Sequence, residues 1–262
     1  MPVFTTPAIL LRRVDFGDWD LIVSFFSLAR GKISLIAKSA KRSTKRFAGI
    51  LELFSVLDVV GQTSRGRGLS VLQEAVLKEP FSRIRADIRK TAYASYWAEL
   101  TQDWMEENAP QAPLFYLLRY VLHALDRGHA SEETLSILFQ VRFLTLSGHS
   151  PNLGGCGVCR KDLEQLNQPK VIFDLVRGGI VCAGCASSAG ERIALAKGTI
   201  KQLLWMEKGD LAKAARIRFG PQAMQESLDL LENFGPYHLG KPPRSLKFLR
   251  QIRKANRWRL KG

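Results

Sequence analysis

Three observations predict an α+β chain built from a small barrel, a set of helices and a thiolate-bound insertion. The first eighty residues hold five apolar or alternating runs separated by short polar breaks. After Pro80 the apolar period lengthens to three and four residues. The four cysteines fall into two pairs spaced C-x2-C-x22-C-x2-C.

The runs Ala8–Val14, Trp19–Ser27, Lys32–Lys38, Leu51–Gln62 and Leu69–Lys78 read as strands, broken at Gly17, Gly31 and Gly61–Gly68. Five strands in so short a span suit a closed barrel, and the five-stranded barrel that most often carries single-stranded nucleic acid is the OB-fold. Residues 1–80 are therefore read as an OB-fold DNA-binding domain. Its most unusual stretch is RGKISLIAKSAKRSTKR, with seven cations (Arg30, Lys32, Lys38, Lys41, Arg42, Lys45, Arg46) and no carboxylate. Such a run repels itself unless it faces water or a polyanion, and a nucleic-acid backbone is the obvious one. Ile33, Leu35 and Ala37 mark the core side of its strand, with Lys32, Ser34, Ile36 and Lys38 on the other. Arg65 and Arg67 in GQTSRGRG extend the basic track or sit on a solvated hairpin turn.

Beyond Pro80, Tyr93, Tyr96, Trp97, Leu100 and Trp104 mark one amphipathic helix. Leu114, Leu117, Leu118, Val121, Leu122 and Leu125 mark a second, and Leu135, Leu138, Val141 and Leu144 a third. Aromatic residues at helical spacing read as core, with base stacking the alternative. Helices resume near Ile193, interrupted around Gly220–Pro221 and Gly235–Pro243. In Arg244–Lys261 the stripe Phe248, Ile252, Ala255 is set against Lys247, Arg250, Lys254, Arg257 and Lys261. That ridge is a DNA contact or a solvated face. A helical domain of residues 81–150 and 192–262 is expected, with a zinc-binding insertion at 151–191.

Cys156, Cys159, Cys182 and Cys185 supply what one tetrahedral Zn²⁺ requires, and VIFDLVRGGIVC between them reads as a hairpin turning at Gly178–Gly179, the layout of a zinc ribbon. Using all four thiolates leaves no open coordination position, so the zinc is structural. A redox thiol pair needs only one of the motifs. His149 precedes the first pair as a substitute ligand or, with four thiolates at hand, as a surface or capping histidine.

The net charge of +15 is concentrated at the ends: residues 1–80 carry 12 Lys or Arg against 7 Asp or Glu, residues 192–262 carry 16 against 5, and the middle is balanced within one charge. The two basic blocks form a binding surface if the fold brings them together. No apolar run is long enough for a membrane span, and the N-terminus lacks the order of a signal peptide, so a cytoplasmic protein with no membrane partner is expected. Phosphate-loop, HExxH and GxSxG motifs are absent, and Asp15, Asp18 and Asp20 are a weak metal-dependent nuclease signal. The reading is a binding protein with no catalytic residues. The alternative is a zinc-containing OB-fold protein that binds RNA or the ribosome.

The segments VDFGDWDLIVSFFSLARGKISLIAKSAKRSTKRFAGILELF, CGVC, FDLVRGGIVCAGC and YHLGKPPRSLKFLRQI together resemble, in order, the RecO family of bacterial DNA repair and recombination mediators. The resemblance implies binding of single- and double-stranded DNA and annealing of complementary strands. It also implies assistance to RecA in replacing single-strand-binding protein (SSB), with RecR and in some settings RecF, at the bacterial nucleoid. Lys38, Lys41, Arg42, Lys45 and Arg46 become the matching DNA contacts, with Phe47 or Phe54 available to stack on a base. The SSB tail, acidic and apolar-ended, calls for an apolar groove edged with cations, which residues 192–262 can supply. Some members lack the cysteines, and the family's usual glycine after the strand lysine is Ser39 here.

Overall fold

The computed structural model describes residues 2–43, 45–64, 66, 68–186 and 191–259, with the backbone alone for 256–259. By contacts the chain divides into two units, residues 1–127 with 243–262, and residues 128–242.

In the first unit β1 (Val3–Phe16), β2 (Asp20–Ser27), β3 (Gly31–Ala37), β4 (Val56–Gln62) and β5 (Ser70–Glu79) close a barrel in the order β1-β2-β3-β5-β4. All pairings are antiparallel except β3 with β5, the parallel contact that shuts the barrel. Strand alternation decides the core: Val23, Phe25, Ile33, Leu35, Ala37, Leu57, Val59 and Leu72 point inward. The fourth strand starts five residues later than expected, because Leu51–Ser55 form a turn with Phe54 at a φ of 72°.

Helices α1 (Ser82–Arg85), α2 (Ile88–Trp104), α3 (Ala112–Arg127) and α8 (Arg244–Arg259) complete this unit. Asp87 caps α2 by accepting from the backbone N–H groups of Arg89 and Lys90. Tyr93, Tyr96 and Trp97 are fully buried core residues and cannot stack on bases, while Trp104 at the end of the stripe is half-buried. One end of the barrel is tied to the helices through Lys32, whose Nζ donates to the Gln102 carbonyl at 2.9 Å, and through Phe26 against Phe115. Gly31 makes this approach possible, since its φ is +63° and a Cβ there would stand 2.0 Å from the Ala109 carbonyl oxygen.

The expected packing stripe of α8 is corrected. Leu246 and Leu249 are its buried residues, whereas Phe248 and Ala255 are exposed and Ile252 half-buried. The rotation is set by Glu99 on α2, which accepts from the backbone N–H groups of Arg244 at 2.9 Å and Ser245 at 2.8 Å and from the Ser245 hydroxyl. A carboxylate at a helix N-terminus satisfies otherwise unpaired N–H groups and meets the favourable end of the dipole.

The second unit contains α4 (Glu132–Leu146), β6 (Lys170–Asp174), β7 (Gly179–Val181), β8 (Arg192–Ala196), α5 (Lys197–Lys208), α6 (Leu211–Ala214) and α7 (Pro221–Leu239). Helix α4 is not amphipathic: Thr134 through Val141 are buried without a break, and Gln140 satisfies its amide within the helix on Ser136. Ile193–Ala196, expected as helix, is strand β8, which pairs with β6 in a sheet ordered β7-β6-β8. Helix α7 runs through Gly235 and Pro236, where an interruption was expected, and ends at Gly240 with a φ of 70°. Glu226 of α7 holds the start of α5, accepting from Ala196 N at 2.9 Å and Thr199 Oγ1 at 2.5 Å. Although partial burial opposes ionisation, these bonds to Thr199 and Ala196 hold its carboxyl below the usual glutamate range.

The anchoring of α8 gives the first testable expectation. Glu99→Ala should cost about 2 kcal/mol in denaturant unfolding, since it leaves two N–H groups and a hydroxyl without a charged acceptor. Glu99→Gln should cost less. An unchanged midpoint in both would mean that Leu246 and Leu249 alone hold the helix.

Candidate nucleic-acid interface and metal centre

The basic segment leaves the barrel at the end of β3 and returns at Leu51. Ala40, Phe47 and Leu51 are buried in the barrel core and pin the loop from beneath. Phe47 and Phe54, 3% and 2% exposed, are therefore core residues and unavailable to a base. From the side, the loop is fastened to the β1–β2 turn. Ser39 adopts a φ of 54°, a region that favours glycine, and its N–H donates to Asp20 Oδ1 at 2.7 Å. Lys41 N donates to the Trp19 carbonyl at 3.0 Å, and Lys41 Nζ meets Asp15 Oδ2 at 2.8 Å. The Arg42 guanidinium lies over the Trp19 ring, 3.1 Å from its centroid. Ser43 Oγ accepts from Arg46 N and Phe47 N, and Arg46 Nη2 donates to the Lys38 carbonyl at 2.8 Å.

The seven cations consequently divide. Arg30 stacks on Phe4, Lys32 is spent on α2, and Lys41 is paired with Asp15. Lys38, Arg42, Lys45 and Arg46 are exposed. The acids read as a nuclease signal have a different use: Asp15 and Asp20 hold the loop, and Asp15, Asp18 and Asp20 do not gather into a metal-binding group among the described residues. Trp19, which sequence reasoning missed, orients Arg42. The signal was available as an aromatic residue in a Gly-Asp turn.

Arg65 and Arg67 lie outside the described residues, as does the side chain of Arg257. On α8, Lys247 and Lys254 are exposed and Arg250 is half-buried. This helix and the basic loop belong to the same unit; α2 holds the start of the helix at Glu99 and receives Lys32, at the other end of β3 from the loop, at Gln102.

In the second unit the Sγ atoms of Cys156, Cys159, Cys182 and Cys185 all lie within 4.8 Å of one another. The first knuckle is laid on β7: Gly157 N donates to the Ile180 carbonyl, Asn152 N to that of Gly178, and Ile180 N to that of Asn152. The turn of the expected hairpin spans Leu175–Gly178, and Gly179 already belongs to β7. Cys159 Sγ and Cys182 Sγ are 3.8 Å apart, the edge of a tetrahedron with bonds of about 2.3 Å. Burial raises the Cys156 thiol, but backbone N–H groups of Cys159, Cys182 and Val158 outweigh it and bring the thiol down to about 6. Cys185, hydrogen-bonded to Cys182 and facing the other sulfurs, is pushed up to about 12. Four thiolates cannot share this volume without a cation, and a bound divalent metal would resolve the conflict. The donor set and spacing thus fit a metal ion. His149 is not a ligand: its Nδ1 bonds the Ser147 carbonyl oxygen at 2.7 Å, and its ring lies 5.4 Å from that of His238.

Comparison with known proteins agrees with this architecture. Family models described as "Recombination protein O N terminal" and "Recombination protein O C terminal" match residues 1–81 and 85–247. The DNA repair protein RecO of Desulfatibacillum aliphaticivorans is 46% identical over 98% of this chain and all of its own length. That of Desulfosudis oleivorans is 46% identical over 97% of this chain and 99% of its own, and that of Anaeromyxobacter sp. strain K 34% identical over 93% and 94%. A five-stranded barrel, a helical remainder with clustered cysteines, and matches over nearly the whole length place the chain in the RecO family of DNA repair proteins.

Proposed function

We propose that the chain is a non-catalytic recombination mediator of the bacterial cytoplasm, acting at the nucleoid. It binds single- and double-stranded DNA, anneals complementary strands and, with RecR and in some settings RecF, helps RecA onto DNA coated by SSB. The observation that carries the reading is the loop Lys38–Arg46. Apolar anchors below and a docked turn beside it hold Lys38, Arg42, Lys45 and Arg46 at the surface. Annealing requires strands held by their phosphates with base edges left free to pair, which lysine and arginine contacts provide. Lys247, Arg250, Lys254 and Arg257 on α8 are a second set of candidate DNA contacts, separate from the loop in sequence.

For the acidic, apolar-ended SSB tail, the second unit offers a groove lined by Ile217, Phe219 and Met224 and edged by His129, Arg216 and Arg218. The four cysteines hold one structural Zn²⁺, which orders the two knuckles and the sheet packed on them.

Three expectations follow from this reading. Replacing Lys38, Arg42, Lys45 and Arg46 together by Gln should weaken single-strand binding and flatten its log–log salt dependence by about 3, at about 0.7 per phosphate, with little change in thermal stability. The same variant should lose stimulated annealing of SSB-coated oligonucleotides. Normal annealing would move the contact surface elsewhere, preference of the wild type for structured RNA would favour the RNA-binding alternative, and Mg²⁺-dependent cleavage would make the chain a nuclease. Arg216→Glu with Arg218→Glu should abolish binding of an SSB-tail peptide in fluorescence anisotropy while leaving oligonucleotide affinity intact, and undiminished peptide binding would relocate the groove. Metal analysis should find one Zn²⁺ per chain, lost in Cys156→Ser and Cys185→Ser. Chelation should lower the unfolding temperature, and an unaltered melt would reduce the metal to a passenger.

A further inference from the structure

Two of the four histidines face each other at the surface of the second unit, and neither the cysteine cluster nor the basic loop makes use of them. His149 lies in the loop that leaves α4, and His238 in the last turn of α7. Both are exposed, with ring centroids 5.4 Å apart and ring planes at 57°. Two imidazoles that share one metal ion through bonds of about 2.0–2.1 Å, at a tetrahedral angle, have centroids about 5 Å apart. The pair already stands at that separation.

Both rings are held from behind. His149 Nδ1 lies 2.7 Å from the Ser147 carbonyl oxygen. A carbonyl can only accept, so Nδ1 carries the proton and the ring's lone pair sits on Nε2. An imidazole that gives one N–H to a carbonyl and keeps its other nitrogen basic is the usual state of a metal-binding histidine. The loop itself is fixed: His149 N donates to the Leu144 carbonyl at 2.8 Å, and Ser150 Oγ donates to Glu207 Oε1 at 2.7 Å. Glu207, bound to the residue next to His149, adds negative charge that favours a cation. On the other side His238 packs edge-on against Phe234 at 4.4 Å, and Phe234 packs against Phe173 of β6 at 5.3 Å. Desolvation against these neighbours, and then the facing His149, hold the His238 imidazole below its ordinary value, which keeps it in the neutral form that can bind a metal.

We propose that His149 and His238 form a second metal site, separate from the cysteine cluster, that takes a divalent transition-metal ion of the nickel, copper or zinc class and clips the end of α7 to the loop after α4. Imidazole nitrogen selects these ions over Mg²⁺ and Ca²⁺, which prefer oxygen. Among the described residues the only group of three or more metal-capable side chains is the cysteine cluster, so an ion held here keeps water in its remaining positions. It is therefore bound more weakly than by four thiolates and exchanges readily. Occupancy ties two elements of the second unit together, and an ion that binds only the folded arrangement stabilises it.

Calorimetric titration of Ni²⁺ into the untagged full chain, first given one equivalent of Zn²⁺ to fill the cysteines, tests the site. Wild type should bind one Ni²⁺ and melt at a higher temperature with it, and Mg²⁺ should give neither effect. His149→Gln and His238→Gln should each weaken Ni²⁺ binding by about tenfold or more and lose the thermal shift. His123→Gln and His129→Gln should change neither, since His123 packs against Phe81 in the other unit and His129 lines the groove near Phe219. Both target side chains are exposed, and unaltered melts without Ni²⁺ would show that the variants fold. A second readout needs no variant: paramagnetic Ni²⁺ should broaden the imidazole proton resonances of two histidines and leave those of the other two sharp. A wild type that binds no Ni²⁺, variants that bind it as tightly as the wild type, or four histidines broadened alike would overturn the site. So would a sulfur-to-nickel charge-transfer band, which would place the ion at the cysteines.

Discussion

The arrangement of the first unit depends on burying Ala40, Phe47 and Leu51 in the barrel beneath a loop that carries five cations and no carboxylate. Mutual repulsion would spread such a loop in water, and no acid within it can hold it together. Its anchors come from outside: an apolar underside, two acids on the β1–β2 turn, and an indole under one guanidinium. This division of labour fixes the backbone with few of the charges. Only Lys41 is paired with a carboxylate among the described contacts of the loop, and the charge left at the surface can meet an anionic ligand without first breaking an ion pair.

Helix α2 is the second support. Its C-terminal turn receives Lys32 from β3, and one turn earlier Glu99 takes the N-terminus of α8. A helix N-terminus bound to a carboxylate has both its unpaired N–H groups and its dipole satisfied. Residues some two hundred positions apart are thereby fastened to one rigid element, which is how the basic C-terminal helix comes to belong to the barrel's unit and not to the unit of the helices that precede it.

The cysteine cluster follows a different logic. Backbone N–H groups stabilise one thiolate, at Cys156, while the remaining sulfurs oppose the ionisation of Cys185. The first knuckle is nonetheless held by backbone bonds to β7, so the donor set is assembled by the sheet, and a cation would complete it. Ser39 is a smaller example of the same principle. A residue that would avoid a positive φ in isolation is kept there by one strong bond to Asp20.

Much of this was legible along the chain because it depends on period and spacing. Alternation at Ile33, Leu35 and Ala37 is a local property of a strand, and two CxxC pairs around a hairpin bring four sulfurs together whatever else folds around them. The positions that sequence misassigned are those where a distant neighbour decides. A helical wheel cannot choose Leu246 and Leu249 over Phe248, Ile252 and Ala255 without knowing that Glu99 grips the helix start. Nor can periodicity show that α4 is covered on every side, or that Ile193–Ala196 finds an edge on β6. The sequence by itself determined the barrel, the thiolate site and the excess of positive charge. Which cations stay at the surface, and which acids and aromatic rings hold the others, was decided only in three dimensions, because each such choice is a contact between residues that chain order keeps apart.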